Sequence, residues 1–73
     1  MKSSYIDRAK KFIAQIYPYI IAYVKNNTVY HYERAVRAFN IEHHRKVKVH
    51  NGAVRVVFIT SDYVVKLVYD TEN

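Results

Sequence analysis

Cysteine is absent from this 73-residue chain, and glycine and proline occur once each. Without thiols there is neither a disulfide framework nor a thiolate metal site, so packing alone must hold the fold, and the composition suits a reducing, cytoplasmic environment. Breakers are too rare, and apolar residues at 51% too frequent, for a disordered tail or a linker. Length excludes more: a chain this short buries only about 60% of its unfolded surface and cannot build a second core. One domain over 1–73 is expected, and a multidomain enzyme is excluded. Carboxylates are scarce as well. Six Asp and Glu stand against twelve Lys and Arg, a formal charge of +6, which favours an acidic or polyanionic partner. The main apolar stretch, 16–24, is short, rich in tyrosine and interrupted by Pro18. Neither a secretory signal nor a membrane partner is expected from it.

What is present divides near Ile41. From Ser4, a candidate N-cap with Asp7 three residues on, apolar residues recur at three- and four-residue steps: Ile6, Ala9, Ile13, Ile16, Tyr17, Ile20 and Val24. That spacing predicts a long first helix. Pro18 inside it removes one backbone donor and crowds the preceding turn, at about 3 kcal/mol in a straight helix, so a kink or a break into two helices is expected. Asn26-Asn27-Thr28 supplies a stop and a new cap, and Val29, Tyr32, Ala35, Val36 and Phe39 mark a second helix ending near Asn40.

Beyond Ile41 the period falls to two. Lys46 to His50 and Ala53 to Ile59 alternate on either side of Asn51-Gly52, the pair a type I′ hairpin turn demands. A two-residue loop sets His50 against Ala53, Val49 against Val54, Lys48 against Arg55 and Val47 against Val56. A second tight turn at Ser61-Asp62 returns 63–69 as a third strand, with Phe58 facing Val65, Val56 facing Leu67 and Val57 facing Lys66. The expected fold is therefore α+β: helices over 4–40 packed on a three-stranded antiparallel meander over 46–69, with 70–73 frayed.

The chemistry points to binding. His43, His44, Arg45, Lys46 and Lys48 form the densest basic stretch, and no carboxylate lies between Glu42 and Asp62. Lys48 opposite Arg55 sets like charges across a ladder, a repulsion that an external anion would relieve. The competing reading is a solvated face with splayed side chains. Val57, Ile59, Val64 and Val68 share the outer face with those cations, and such a mixture suits an interaction surface. The span 30–47 loosely resembles a helix-turn-helix, although its recognition segment, Val47 to His50, alternates like a strand. His31, His43, His44 and His50 lack ligand spacing for a metal, and His43, His44 and His50 would strengthen anion binding once protonated. No phosphate loop, nucleophile elbow or acid/base carboxylate pair is present, so no cofactor and no catalysis are expected. Eight tyrosines exceed what a small core can hold; Tyr17, Tyr19 and Tyr23 are the candidates for exposure, where they can serve an interface or stack on bases.

Two resemblances add to this. The segment Asp62-Tyr63-Val64-Val65-Lys66-Leu67 looks like the lysine-bearing third strand of protein-kinase-like small lobes, with Lys66 in the position that pairs phosphates. The glutamate-bearing helix and the catalytic and metal-binding loops of that family are missing, so a remnant without activity is what it implies. In length, basic charge, lack of cysteine and helix-plus-sheet layout, the chain resembles small phage-encoded regulators that bind host RNA polymerase and inhibit initiation or promote read-through. That resemblance, one of type and size, implies a host RNA polymerase or similar nucleic-acid-associated complex as partner, in the host cytoplasm; the contact residues expected from the basic stretch and the sheet pattern themselves are Arg45, Lys46, Lys48, Arg55, Lys66, His43 and His44. Direct RNA or DNA binding through the basic sheet face is the alternative.

Overall fold

The computed structural model describes residues 4–26, 28–52 and 54–68. The expectations for Asn27, Ala53, Tyr69 and the 70–73 tail lie outside those residues. Helix α1 spans Tyr5–Tyr23, and its N-terminus is capped by Ser4, whose Oγ accepts the Asp7 N–H at 3.0 Å. The helix is not broken at Pro18. Both Pro18 and Ala14, whose carbonyl loses its helical donor, are exposed, so water can satisfy the orphaned acceptor. Helix α2 spans Val29–His43, capped by Thr28 Oγ1 on the His31 N–H, and runs past the expected stop at Asn40. The His43 ring stacks on Phe39 at 4.4 Å, which holds the extra turn in place. Termination comes at His44, which adopts the left-handed conformation (φ 55°) more often given to glycine or asparagine.

Three strands follow: β1 Lys48–Asn51, β2 Arg55–Ile59 and β3 Val64–Val68, ordered β1-β2-β3 with both pairs antiparallel. The β2/β3 register is the one a tight Ser61-Asp62 loop requires: Phe58 opposite Val65, Val56 opposite Leu67, Val57 opposite Lys66. Thr60 organises that turn. Its buried hydroxyl accepts the N–H groups of Asp62 at 3.2 Å and Tyr63 at 3.0 Å and donates to the Tyr63 carbonyl at 2.8 Å.

The β1/β2 register differs from expectation. Lys48 pairs with Ile59, Val49 with Phe58, His50 with Val57 and Asn51 with Val56, so every β1 residue sits four positions further along β2 than a two-residue loop would set it. Asn51 belongs to β1 and Gly52 has no positive φ, so no type I′ turn forms at Asn51-Gly52; the Gly52 N–H instead bonds to the Arg55 carbonyl at 2.8 Å. The cause lies upstream. The expected register would draw residues 44–47 into the sheet beside β2, but α2 occupies the chain to His43 and Val47 is held by Asn40. Strand β1 therefore starts at Lys48 and slides toward the end of β2.

Both helices pack on one face of the sheet. Phe12 and Ile16 of α1, Tyr32, Ala35, Val36 and Phe39 of α2, and Val47, Val56, Phe58 and Val65 form the buried core. Phe12 is its hub, with ring centroids 5.7 Å from Phe39, 5.6 Å from Phe58 and 6.4 Å from Tyr63. Ile6, Tyr17 and Val29, which carry the helical periodicity, are instead exposed. Val24 lies one residue beyond α1, where its N–H bonds to the Ile20 carbonyl at 2.9 Å. No described helix is long and apolar enough to cross a membrane.

Candidate functional site

Strand alternation turns Val49, Val56, Phe58, Val65 and Leu67 toward the helices, which leaves the other face of the sheet uncovered by the described residues. That outer face is built in rows. Lys48, Ile59 and Val64 lie side by side; His50, Val57 and Lys66 form the next row; Arg55 and Val68 form the third. No Asp or Glu occurs in any of them. Lys48, Arg55, Lys66, Val64 and Val68 are exposed, with Val68 at 69%. Each cation has a β-branched neighbour across the ladder, so the face alternates charge with aliphatic surface in two directions.

Lys48 and Arg55 share this face, but they do not oppose each other. Ile59 holds the position opposite Lys48, and Arg55 lies four residues back along β2, about 13 Å at roughly 3.3 Å per residue. That exceeds the screening length of about 8 Å at physiological salt. The expected cross-strand repulsion is thus absent, and the four-residue slide removes it. What remains is a set of separated cations, none of them paired with a carboxylate among the described residues.

The rest of the basic stretch is used differently. Arg45, half-buried, sets its guanidinium 5.9 Å from the Phe12 ring centroid and 5.8 Å from that of Phe39, closing the end of the core by cation–π contact. His43 stacks on Phe39 and meets Tyr19 edge-on at 5.8 Å. His44 is the helix stop, and Lys46 is exposed on the connector into β1. His31 is half-buried with its Nδ1 3.3 Å and 3.4 Å from the N–H groups of Lys25 and Asn26, which ties the interhelical loop to α2. Of the candidate contact residues, then, Lys48, Arg55 and Lys66 come together on the outer face, while Arg45 and His43 serve packing. His50, which lies between Lys48 and Lys66 in the row pattern, also joins the outer face. Its alternation with Lys48 was the signal.

The exposed tyrosines lie elsewhere. Tyr5, Tyr17 and Tyr30 are exposed at 72%, 54% and 62%, while Tyr19 and Tyr23 are half-buried and Tyr32 belongs to the core. All six sit on the helices, and Tyr63 contacts Phe12 on the inner side. Among the described residues the outer face therefore carries no aromatic ring except the His50 imidazole. The Tyr19 hydroxyl donates to Glu42 across the helix pair, and that bond, reinforced by partial burial and the Glu42 charge, pushes its pKa up from 10.0 to about 12. Among the described residues, no group of three or more His, Asp or Glu side chains is placed to hold a metal ion. Val47 to His50 lead into and form a strand, so among the described residues no recognition helix follows α2, and Ile41 within the helix-turn-helix span is 71% exposed. Lys66 stands exposed on the outer face opposite Val57. No family model, curated protein or solved structure matches this chain.

Proposed function

We propose that the chain is a non-enzymatic binding module whose outer sheet face docks on an acidic protein surface. Bacterial RNA polymerase is the partner we favour, with modulation of transcription, by inhibited initiation or by antitermination, as the consequence. The observation that carries the reading is the row pattern of the uncovered face: Lys48, Arg55 and Lys66 set among Val57, Ile59, Val64 and Val68, without a carboxylate among them. An aliphatic centre with cations spaced around it resembles the buried patch and charged rim of a protein interface. Among the described residues it lacks the aromatic platforms on which single-stranded nucleic acid stacks. The choice of polymerase follows from the chain's size, charge and layout and from no individual residue.

The experiment is a salt series. Affinity for purified bacterial RNA polymerase, measured by fluorescence anisotropy between about 50 and 200 mM salt, should fall by less than about tenfold, because the apolar centre is insensitive to screening. Binding to a single-stranded oligonucleotide through three or four phosphates, one for each charged group of the face, would instead fall by about 20- to 50-fold across that range. Tight oligonucleotide binding with that steep slope, together with no polymerase binding, would replace protein docking with direct nucleic-acid recognition.

A further inference from the structure

Among the described residues the two outer strands each leave one side unpaired, and the protein treats these edges differently. Beside β1 runs α2, and the Asn40 amide bonds both backbone groups of Val47 just ahead of the strand. At β3 nothing comparable is present among the described residues. The Thr60 N–H bonds to the Tyr63 carbonyl at 2.9 Å, which makes these two a hydrogen-bonded pair. Antiparallel ladders alternate, so Phe58/Val65 and Val56/Leu67 are bonded pairs as well. The N–H and C=O groups of Val64, Lys66 and Val68 consequently turn away from β2 toward the open edge.

Beside that edge, an open groove of about 670 Å³ runs between α1 and β3. Ile6, Ile13, Tyr17, Pro18, Val65 and Leu67 line it, and Lys10 and Lys66 stand at its rim. The exposure of Ile6 at 66% and Tyr17 at 54%, both on the helical apolar stripe, comes from this opening. An unpaired edge beside an apolar groove is what an added strand requires. Its main chain completes the ladder, and every second side chain enters the groove. The remaining side chains lie on the outer face beside Val64, Lys66 and Val68. Charge selects the occupant. A second copy of the chain would bring another +6 to a strand whose central residue is Lys66, whereas carboxylates would be complementary to Lys66 and Lys10.

We infer that the β3 edge is a strand-addition site for an extended acidic segment of a partner protein, with apolar side chains seated in the groove between α1 and β3 and alternate carboxylates on the outer side. The inference shares Lys66 with the proposed outer-face function but rests on the edge and the groove, so Ala14→Glu in the groove and Lys48→Glu on the outer face tell the two apart.

The probe is a fluorescent peptide of four Val-Glu repeats. The added strand is taken to run antiparallel to β3, so the residues that share the outer face with Val64, Lys66 and Val68 are the ones whose N–H groups point at β3, and in this peptide those are the glutamates. N-methylation of the glutamates should weaken binding by about a hundredfold, and N-methylation of the valines should change it by less than about twofold. Amide exchange at Val64, Lys66 and Val68 should slow by about tenfold or more on peptide binding. Lys66→Glu should weaken binding by about tenfold, as should Ala14→Glu, which places a carboxylate in the groove at an exposed position; Lys48→Glu should leave it unchanged. Binding indifferent to the position of the methyl groups would overturn the proposal. So would slowed exchange at these amides without peptide that grows with protein concentration, which would give the edge to a second copy.

Discussion

Asn40 and Val47 are joined by two opposed hydrogen bonds: Asn40 Nδ2 donates to the Val47 carbonyl at 3.0 Å, and the Val47 N–H donates to Asn40 Oδ1 at 3.0 Å. A side-chain amide thus behaves as a one-residue length of neighbouring strand. The pair fixes where the chain leaves α2 and where β1 begins, and through β1 it fixes which residues share a row on the outer face.

Asn40→Ala leaves both Val47 backbone groups partly buried and without that partner. The loss of two such bonds should cost about 1–3 kcal/mol, read as a lower urea midpoint at constant slope. Asn40→Asp keeps the acceptor but sets a carboxylate against the Val47 carbonyl, so it should be no more stable than the alanine variant. Equal stability of the wild type and Asn40→Asp would show that the donor side of the pair contributes nothing.

Thr60 gives a second local test. Its hydroxyl serves Asp62, Tyr63 and the turn between β2 and β3. Thr60→Val preserves shape and removes those bonds, at about 1–2 kcal/mol, while Thr60→Ser should lose less than half of that. Thermal unfolding followed by circular dichroism separates the two, and a valine variant as stable as the wild type would dismiss the hydroxyl as an organiser.

How far the sequence reveals this fold is seen best in the hairpins. The Ser61-Asp62 turn is legible because the loop is short and both strands alternate up to it. The Asn51-Gly52 signal misleads because a slide of four residues is an even number: every side chain keeps its face, so the alternating pattern fits either register. The content of the outer face therefore survives the error, and the opposition of Lys48 and Arg55 does not. The reason for the slide, an asparagine amide reaching the backbone seven residues on, has no periodic signature. Helix ends show the same limit, since the stacking of His43 on Phe39 carries α2 beyond Asn40. Among the site residues, Lys48, Arg55 and Lys66 follow from alternation, whereas the inward use of Arg45 depends on the placement of Phe12 by a distant helix.

Separation of Lys48 from Arg55 has its own consequence. A double-mutant cycle with Lys48→Ala and Arg55→Ala should give a coupling energy below about 0.5 kcal/mol, the additivity of sites without shared partners. Residues directly opposed on a ladder would couple by more, so a larger value, with the double variant less stable than the sum predicts because each single variant already relieves the full repulsion, would reinstate the Asn51-Gly52 hairpin.

Tyr19 predicts an alkaline effect. Because its folded-state pKa is raised from 10.0 to about 12, the protonated hydroxyl is favoured in the native state. The contribution is complete below pH 10 and is lost as pH rises toward 12. The stability advantage of the wild type over Tyr19→Phe should be constant from neutral pH to about 10 and shrink above it, as followed by urea unfolding across that range. An advantage unchanged at pH 12 would mean that the bond to Glu42 does not form in solution.

The central claim, that binding belongs to one face and not to net charge, is tested most directly by two triple charge reversals of equal size. Lys48→Glu, Arg55→Glu and Lys66→Glu alter the outer sheet face; Lys11→Glu, Lys25→Glu and Arg37→Glu alter the helical layer. With both variants verified as folded, their affinity for purified bacterial RNA polymerase is measured by fluorescence anisotropy at a single salt concentration. The sheet-face variant should lose about a hundredfold or more and the helical variant less than about fivefold. Equal losses, or a larger loss from the helical layer, would contradict the assignment.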